Sequence, residues 1–308
     1  MHIFILKRLG LMIPVALGVM LVIFTLTYIT EGDPAQIILG MQAEYAAVAQ
    51  LRAEMGLDDP FLVQFGRFVG NVVQLDFGTT FVTGRPVWDE IITRFPITMQ
   101  LAFFSMIIAV SIGIPLGILS ATRQYSIFDS LANFLGLIGV SIPNFWLGMM
   151  LIILFSLNLG MLPPSGWESP AHWVLPSLTI GVSTTAIIMR MTRSSMLEVI
   201  RQDYIRTARS KGQKESIIIY RHALKNALMP VITIVGLQFG LLLSGAILTE
   251  TIFAINGVGR FMVEAINQRD FPIIHGGVLL LALTFSFVNL AVDILYAFAD
   301  PRIRSQYR

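Results

Sequence analysis

The stretch DYIRTARSKG, Asp203 to Gly212, gathers side chains able to do ionic and hydrogen-bonding chemistry. Asp203, Arg206, Arg209 and Lys211 carry charge, and Tyr204, Thr207 and Ser210 carry hydroxyls, around the apolar Ile205 and Ala208. Only 13% of the chain is charged, so such a density calls for a partner. Three cations in nine positions suit lipid headgroups, through the surface potential of a membrane, or a protein surface. They do not make a catalytic set. Cysteine is absent, which removes thiol chemistry, disulfides and Cys-held metals. The four histidines, His2, His172, His222 and His275, fall on separate segments without an HExxH spacing, so neither a metal site nor a Ser–His site is indicated. No Lys precedes a Ser or Thr, so the phosphate-cradling P-loop cannot form. The chain itself calls for no cofactor, and any ATP and magnesium would have to be held by another polypeptide.

The elements that position this stretch are set by composition. Hydrophobic residues make up 55% of the 308 and the mean hydropathy is +0.74, well above the ordinary soluble range. The fold class is therefore all-α, a polytopic membrane protein with six transmembrane helices. Six apolar runs reach the roughly 20 residues needed to cross a bilayer: Leu9–Ile29, Ile97–Leu119, Leu131–Leu157, Trp173–Met191, Val231–Thr249 and Ile273–Phe298. The fourth is weakened by Pro176 and several Ser and Thr. The first follows Lys7 and Arg8 but is too long for a signal-peptide core and lacks a small-residue cleavage site, so it reads as retained. With both termini cytoplasmic, inward segments hold fifteen Lys or Arg, including Arg302, Arg304 and Arg308, against six outside. The positive-inside rule selects that orientation.

Three regions follow: residues 1–30 as tail and first helix, 31–96 as an external loop, and 97–308 as a five-helix core with a cytoplasmic loop at 192–229. The external loop is acidic, with nine Asp or Glu against four Arg. Ala43–Met55 reads as a short helix ended by Gly56. Phe61, Phe65, Phe68 and Val72 recur at helical spacing, giving an apolar face for the membrane surface, with an external docking surface as the alternative. In the cytoplasmic loop, Ser195 and Glu198 match a capping box, so a helix is expected to begin there. Met196, Ile200, Tyr204 and Ala208 would share one face as a stripe available for contact, and Lys211 with Gly212 would end the helix. A second helix starts near Ser216 and leads to Pro230, placed to open the fifth span.

Gly236, Gly240 and Ser244 form a small-x-x-x-small run that lets a second helix approach closely. Gly113, Pro115, Gly117 and Pro143 permit bends. Asp293 sits near the cytoplasmic end of the last span and suits an ion pair or headgroup contact, while Glu250 and His275 are placed at the outer boundary within reach of water. No proton pathway emerges, nor the internal repeats or mid-membrane polar sites expected of an ion-driven secondary transporter. Six spans also argue against a DNA-binding role for the basic loop, and no nucleic-acid partner is expected.

DYIRTARSKG followed by RHALKNALMPVIT resembles the cytoplasmic coupling loop of permease subunits in binding-protein-dependent ABC importers, and more narrowly the dipeptide/oligopeptide/nickel branch. The resemblance runs in order through GDP (Gly32–Pro34), LDDP (Leu57–Pro60), DFG (Asp76–Gly78), SIPNFWLG (Ser141–Gly148), MTRSSMLEV (Met191–Val199), ETIF (Glu250–Phe253), GVGR (Gly257–Arg260), RDFP (Arg269–Pro272) and DPRIR (Asp300–Arg304). The wider family opens its loop with Glu-Ala-Ala, three residues, then Gly. Aligned on Gly212, this chain has Arg206, Thr207 and Ala208, so only the last Ala and the Gly agree. The resemblance implies a type I importer permease in the bacterial inner membrane. Its partners would be a homologous second permease, two ATPase subunits, an extracytoplasmic binding protein and membrane lipid. Residues 203–212 would be the ATPase-coupling helix, and dipeptides or short oligopeptides the cargo, with nickel complexes, glutathione or another small solute as alternatives. Under that resemblance the run at Gly236 packs either within the subunit or against the sister permease.

Overall fold

Backbone N–H and C=O groups placed in hydrocarbon must satisfy one another, and a helix does this within a single segment. The computed structural model describes residues 2–30, 32–40 and 42–299, and their regular structure is helical apart from one isolated bridge, Thr79 to Pro86. The DPRIR stretch and the basic tail at Arg302, Arg304 and Arg308 lie outside the described residues. Among the described residues, five segments are long and apolar enough to cross a membrane. They are Ile5–Ile29 within α1 (His2–Ile29), α5 (Val87–Thr122), α8 (Pro170–Ile200), Glu215–Ser244, and Phe271–Ile294 within α13 (Phe271–Ala299). Glu215–Ser244 takes in α10 (Glu215–Ile217), a π segment (Ile218–Ala223) and most of α11 (Leu224–Ile252).

The expected span Leu131–Leu157 is not one helix. It is α6 (Ile127–Ser141), α7 (Asn144–Leu151) and a second π segment (Ile152–Asn158), bent by 99° at the break, and the spans number six if this pair counts as one. Pro143 is the local cause. Its ring disfavours helical backbone at the preceding residue, and Ile142 is extended with ψ of 124°. The Ser- and Thr-rich fourth run, by contrast, spans without interruption as α8. Its hydroxyls donate back to their own helix: Thr179 to Leu175 O at 2.8 Å, Thr185 to Gly181 O at 2.7 Å and Thr192 to Ile188 O at 2.8 Å. Each O–H is thereby hidden from hydrocarbon.

The chain forms two compact units. Of the described residues, the first comprises chiefly Met99–Ile255 with 285–299, and the second Leu6–Thr98 with Asn256–Thr284. In the first, α8 is the central helix, with α5 and α6 against it. A Cβ at Gly117 would stand 2.6 Å from the carbonyl oxygen of Met189, and one at Gly136 would stand 2.7 Å from the Met189 side chain. At Gly117 the close atom is backbone, so only glycine permits the approach, whereas at Gly136 the flexible end of Met189 would have to move. Glu250 is fully buried near the end of α11, contrary to its expected place beside water. The chain turns back over it through buried Phe253 and Ile255, whose N–H donates to Glu250 O at 2.8 Å.

In the second unit, α2 (Pro34–Leu39), α3 (Tyr45–Met55) and α4 (Phe61–Val73) precede α5. Gly56 closes α3 in the left-handed region at φ 64°, as its position implies. The apolar stripe of α4 packs on neighbouring helices of the same unit. Phe65, Phe68 and Val72 pack with Met20 of α1 and Leu279 of α13, and the Phe24 ring stands 5.5 Å from both Phe61 and Phe68. Covering two existing helices buries the rings more completely than a lipid surface would. His275 joins this cluster, 4.8 Å from the Phe68 ring and 2.8 Å from the Thr27 hydroxyl, so it too is shielded from bulk water. All four arginines of the acidic loop are paired within it: Arg52 with Asp33 and Asp58, Arg67 with Asp59, Arg85 and Arg94 with Glu90. The two carboxylates hydrogen-bonded to Arg52 push its pKa up. A further short helix, α12 (Val258–Gln268), ends at Arg269 just before α13.

Candidate functional site

The charged stretch forms its own helix, α9 (Asp203–Ser210), after a break at Arg201–Gln202. This corrects the expected boundary. Ser195 is buried inside α8 with its hydroxyl 3.8 Å from the Met191 sulfur, and its capping signature goes unused because α8 arrives from the membrane span already formed. The start of α9 is instead Gln202, whose ψ of 149° marks the turn out of α8, and Asp203 puts a carboxylate in the first turn, favourable for the helix dipole. Lys211 follows the last turn, and Gly212 adopts φ of 73° with its N–H donating to Arg209 O at 2.9 Å. Only glycine takes that conformation without penalty.

Shifting the boundary changes the buried face. Ile205, not Tyr204, is the anchor: it is fully buried against Ile118, Ala121, Met196, Ile218, Ala223 and Ala227, with Ala208 beside it. Tyr204 is half outside, and its hydroxyl accepts a hydrogen bond from the Asn226 amide at 2.6 Å. Asp203, Arg206, Thr207, Ser210, Lys211 and Gly212 are exposed. Arg209 reaches across the Gly212 turn to Glu215 at 2.6 Å, which pushes the guanidinium pKa up. The result is a short helix held by one aliphatic plug, with a polar and mainly cationic face outward.

Below that plug, Asp129 of α6 is gripped by five donors. Arg193 of α8 binds it through both nitrogens at 2.7 and 2.8 Å, Ser120 of α5 at 2.5 Å, the Tyr125 N–H at 2.9 Å and Asn133 at 2.8 Å. A buried carboxylate needs such saturation, since desolvating it is costly. The same network ties α5, α6 and α8 together a few residues from α9. Sequence reasoning included Ile205 in the charged stretch but not on its apolar face, and it passed over Asp129. The signal for Asp129 was a carboxylate three residues after Ser126, an N-cap spacing, opening an apolar run.

The proposed helix-packing residues lie at a contact inside the chain. A Cβ on Gly236 would run into Val292, and one on Gly240 into Phe285, both on α13, whereas Ser244 is exposed. Pro230 lies within α11 and does not open it; the span continues back to Glu215, because a membrane helix tolerates one missing N–H. Among the described residues no cluster of His, Asp and Glu could hold a metal ion.

Residues 113–305 match the family model described as binding-protein-dependent transport system inner membrane component, and residues 1–102 match the N-terminal model of the same system. The chain belongs to this family. The permease is therefore a multi-pass inner-membrane protein. It is 45% identical to the dipeptide transport system permease protein DppB of Alkalihalophilus pseudofirmus, covering 97% of this chain and 98% of that protein. Against DppB of Escherichia coli K12 the identity is 43%, over 98% of both chains. The glutathione transport system permease protein GsiC of Salmonella typhimurium is 44% identical to the permease, again over 98% of both. Among solved structures, an inward-facing MetNI methionine ABC transporter superposes with a TM-score of 0.56 at 20% identity, over 66% of the permease and 93% of that chain, a likeness of fold.

Proposed function

We propose that the permease forms half of the translocation pathway of an ATP-driven ABC importer for dipeptides or short oligopeptides. A homologous permease supplies the other half, two ATPase subunits hydrolyse ATP with magnesium, and an extracytoplasmic binding protein delivers the peptide. Near full-length similarity to two DppB proteins carries the choice of cargo. Docking falls to α9. Its polar face is free while Ile205 holds it to the helices that cross the membrane, so a push received outside the membrane reaches α5 and α8 through packed side chains. The orientation that sets α9 in the cytoplasm rests on the basic residues flanking it.

The similarity to GsiC supports a second cargo, glutathione, itself a small peptide. Reconstituting the complex with its binding protein in liposomes tests both. ATP-dependent uptake of dipeptide that survives collapse of the ion gradient is the expected result. Uptake of glutathione alone would favour the second cargo, and uptake that needs the gradient and ignores ATP would refute the proposal.

A further inference from the structure

Polar side chains with unused hydrogen-bonding capacity are costly inside a membrane segment, where no water is at hand to satisfy them. Two such amides face one small hollow of about 120 Å³ in the first unit. Asn144 opens α7 immediately after the 99° bend, and Gln238 lies within the Glu215–Ser244 span. Neither side chain makes a hydrogen bond among the described residues, and each is half-buried. Ser183 and Thr184 of α8 complete the polar wall, with Ile180, Leu241 and Leu242 between. Both hydroxyls donate to the Ile180 carbonyl, Ser183 at 3.3 Å and Thr184 at 3.1 Å, so their oxygen lone pairs remain for an incoming donor.

We infer that this hollow is a peptide-bond contact of the translocation pathway, with Gln238 and Asn144 as the residues that touch the cargo; the inference rests on the proposed function above. The chemistry selects the ligand class. No Asp, Glu, Lys or Arg lines the hollow, so neither peptide terminus nor a charged side chain is held there. Primary amides both donate and accept, which complements the C=O and N–H of a peptide group whatever its side chains. The volume suits one peptide unit or a few waters, since a water occupies about 30 Å³. A whole dipeptide needs more, and the matching wall comes from the sister permease. The position also couples the contact to movement, because Asn144 follows the extended Ile142–Pro143 break and any change in that bend shifts its amide relative to Gln238.

The test uses the assembled complex in proteoliposomes with its binding protein, assayed for ATP-driven uptake of dialanine and of its analogue methylated on the peptide nitrogen. The binding protein is saturated with each probe, as fixed by its own titration. Wild type should import the methylated probe about fivefold or more slowly, the size of effect expected when one hydrogen bond is lost. Gln238→Leu and Asn144→Leu should slow dialanine by a similar factor and import both probes alike, while Gln238→Asn keeps part of the discrimination. Equal import of the two probes by wild type would overturn the inference, and so would Leu variants that still discriminate. Leu variants that fail to assemble with the sister permease, while Gln238→Asn assembles and does not discriminate, would also overturn it and assign the amides to the subunit interface. A wild-type complex that imports no peptide at all would instead refute the proposed function.

Discussion

Ile205→Ala is the sharpest perturbation of α9, the helix proposed to dock the ATPase. Ile205 is the one fully buried side chain on α9, and its neighbours Met196, Ile218, Ala223 and Ala227 already pack around it. Removing three carbons from such a site costs about 2–5 kcal/mol, because the walls relax only partly. An eight-residue helix has no stability of its own, so the loss falls on docking of α9 rather than on the membrane helices. At about 3 kcal/mol the docked-to-undocked ratio drops roughly 150-fold, each tenfold being worth 1.4 kcal/mol. Ile205→Val, at about 0.5–1.5 kcal/mol, should lower it no more than roughly tenfold. Hydrogen exchange of the amides from Arg206 to Arg209 in the purified permease reads that ratio directly. Ordered acceleration, small for Val and large for Ala, with transport falling in step, is the expected result. Unchanged exchange in Ile205→Ala would refute the idea that this plug holds the helix.

Gly212→Val meets no atom within 4 Å but must adopt φ of 73°, so its cost of at least about 1–2 kcal/mol is purely one of backbone conformation; Gly212→Asn should be nearly tolerated, and ATPase co-purification should rank the two accordingly. Gly240→Leu forces a side chain into Phe285 and should lower the unfolding temperature of the solubilised permease by the equivalent of about 1–3 kcal/mol, whereas Ser244→Leu, on an exposed position, should not. Asp270 is fully buried with one carboxylate oxygen unpartnered, and burial raises its pKa against the opposing N–H groups of Phe81, Val82 and Ile273. The folded state thus holds the proton more tightly than the unfolded chain. Its contribution is fully present below the unfolded value near 3.8 and is lost as pH rises through the higher folded value. Asp270→Asn should flatten that dependence and match or exceed wild-type thermal stability near neutral pH.

Membrane class, five of the six spans and a charged helix ended by glycine were readable because each depends on local composition: 20-residue apolar runs, charge density, and a glycine after a cationic turn. Residues whose role depends on a distant partner were not. Ile205 looked incidental until the break at Gln202 rotated it inward, and nothing local announced that break, since Ser195 offered a better capping pattern within a helix that was already running. The α4 stripe was visible, but whether Phe65 and Phe68 met lipid or Met20 and Leu279 depended on contacts far apart in the chain. Pro143 and Pro230 show the same limit from the other side. The first stands at the break in its span and the second lies within an unbroken helix, a difference that the prolines alone do not announce.

The central claim is that α9 meets the ATPase, and cysteine cross-linking measures this with little background because the permease has no cysteine of its own. A single Arg206→Cys change places a thiol on the exposed face of α9 without touching Ile205. In the assembled importer it should form a cross-link to the ATPase subunit, with a yield that changes when a non-hydrolysable ATP analogue binds. Labelling of that thiol from outside intact cells, or cross-linking to lipid alone while import continues, would contradict the account.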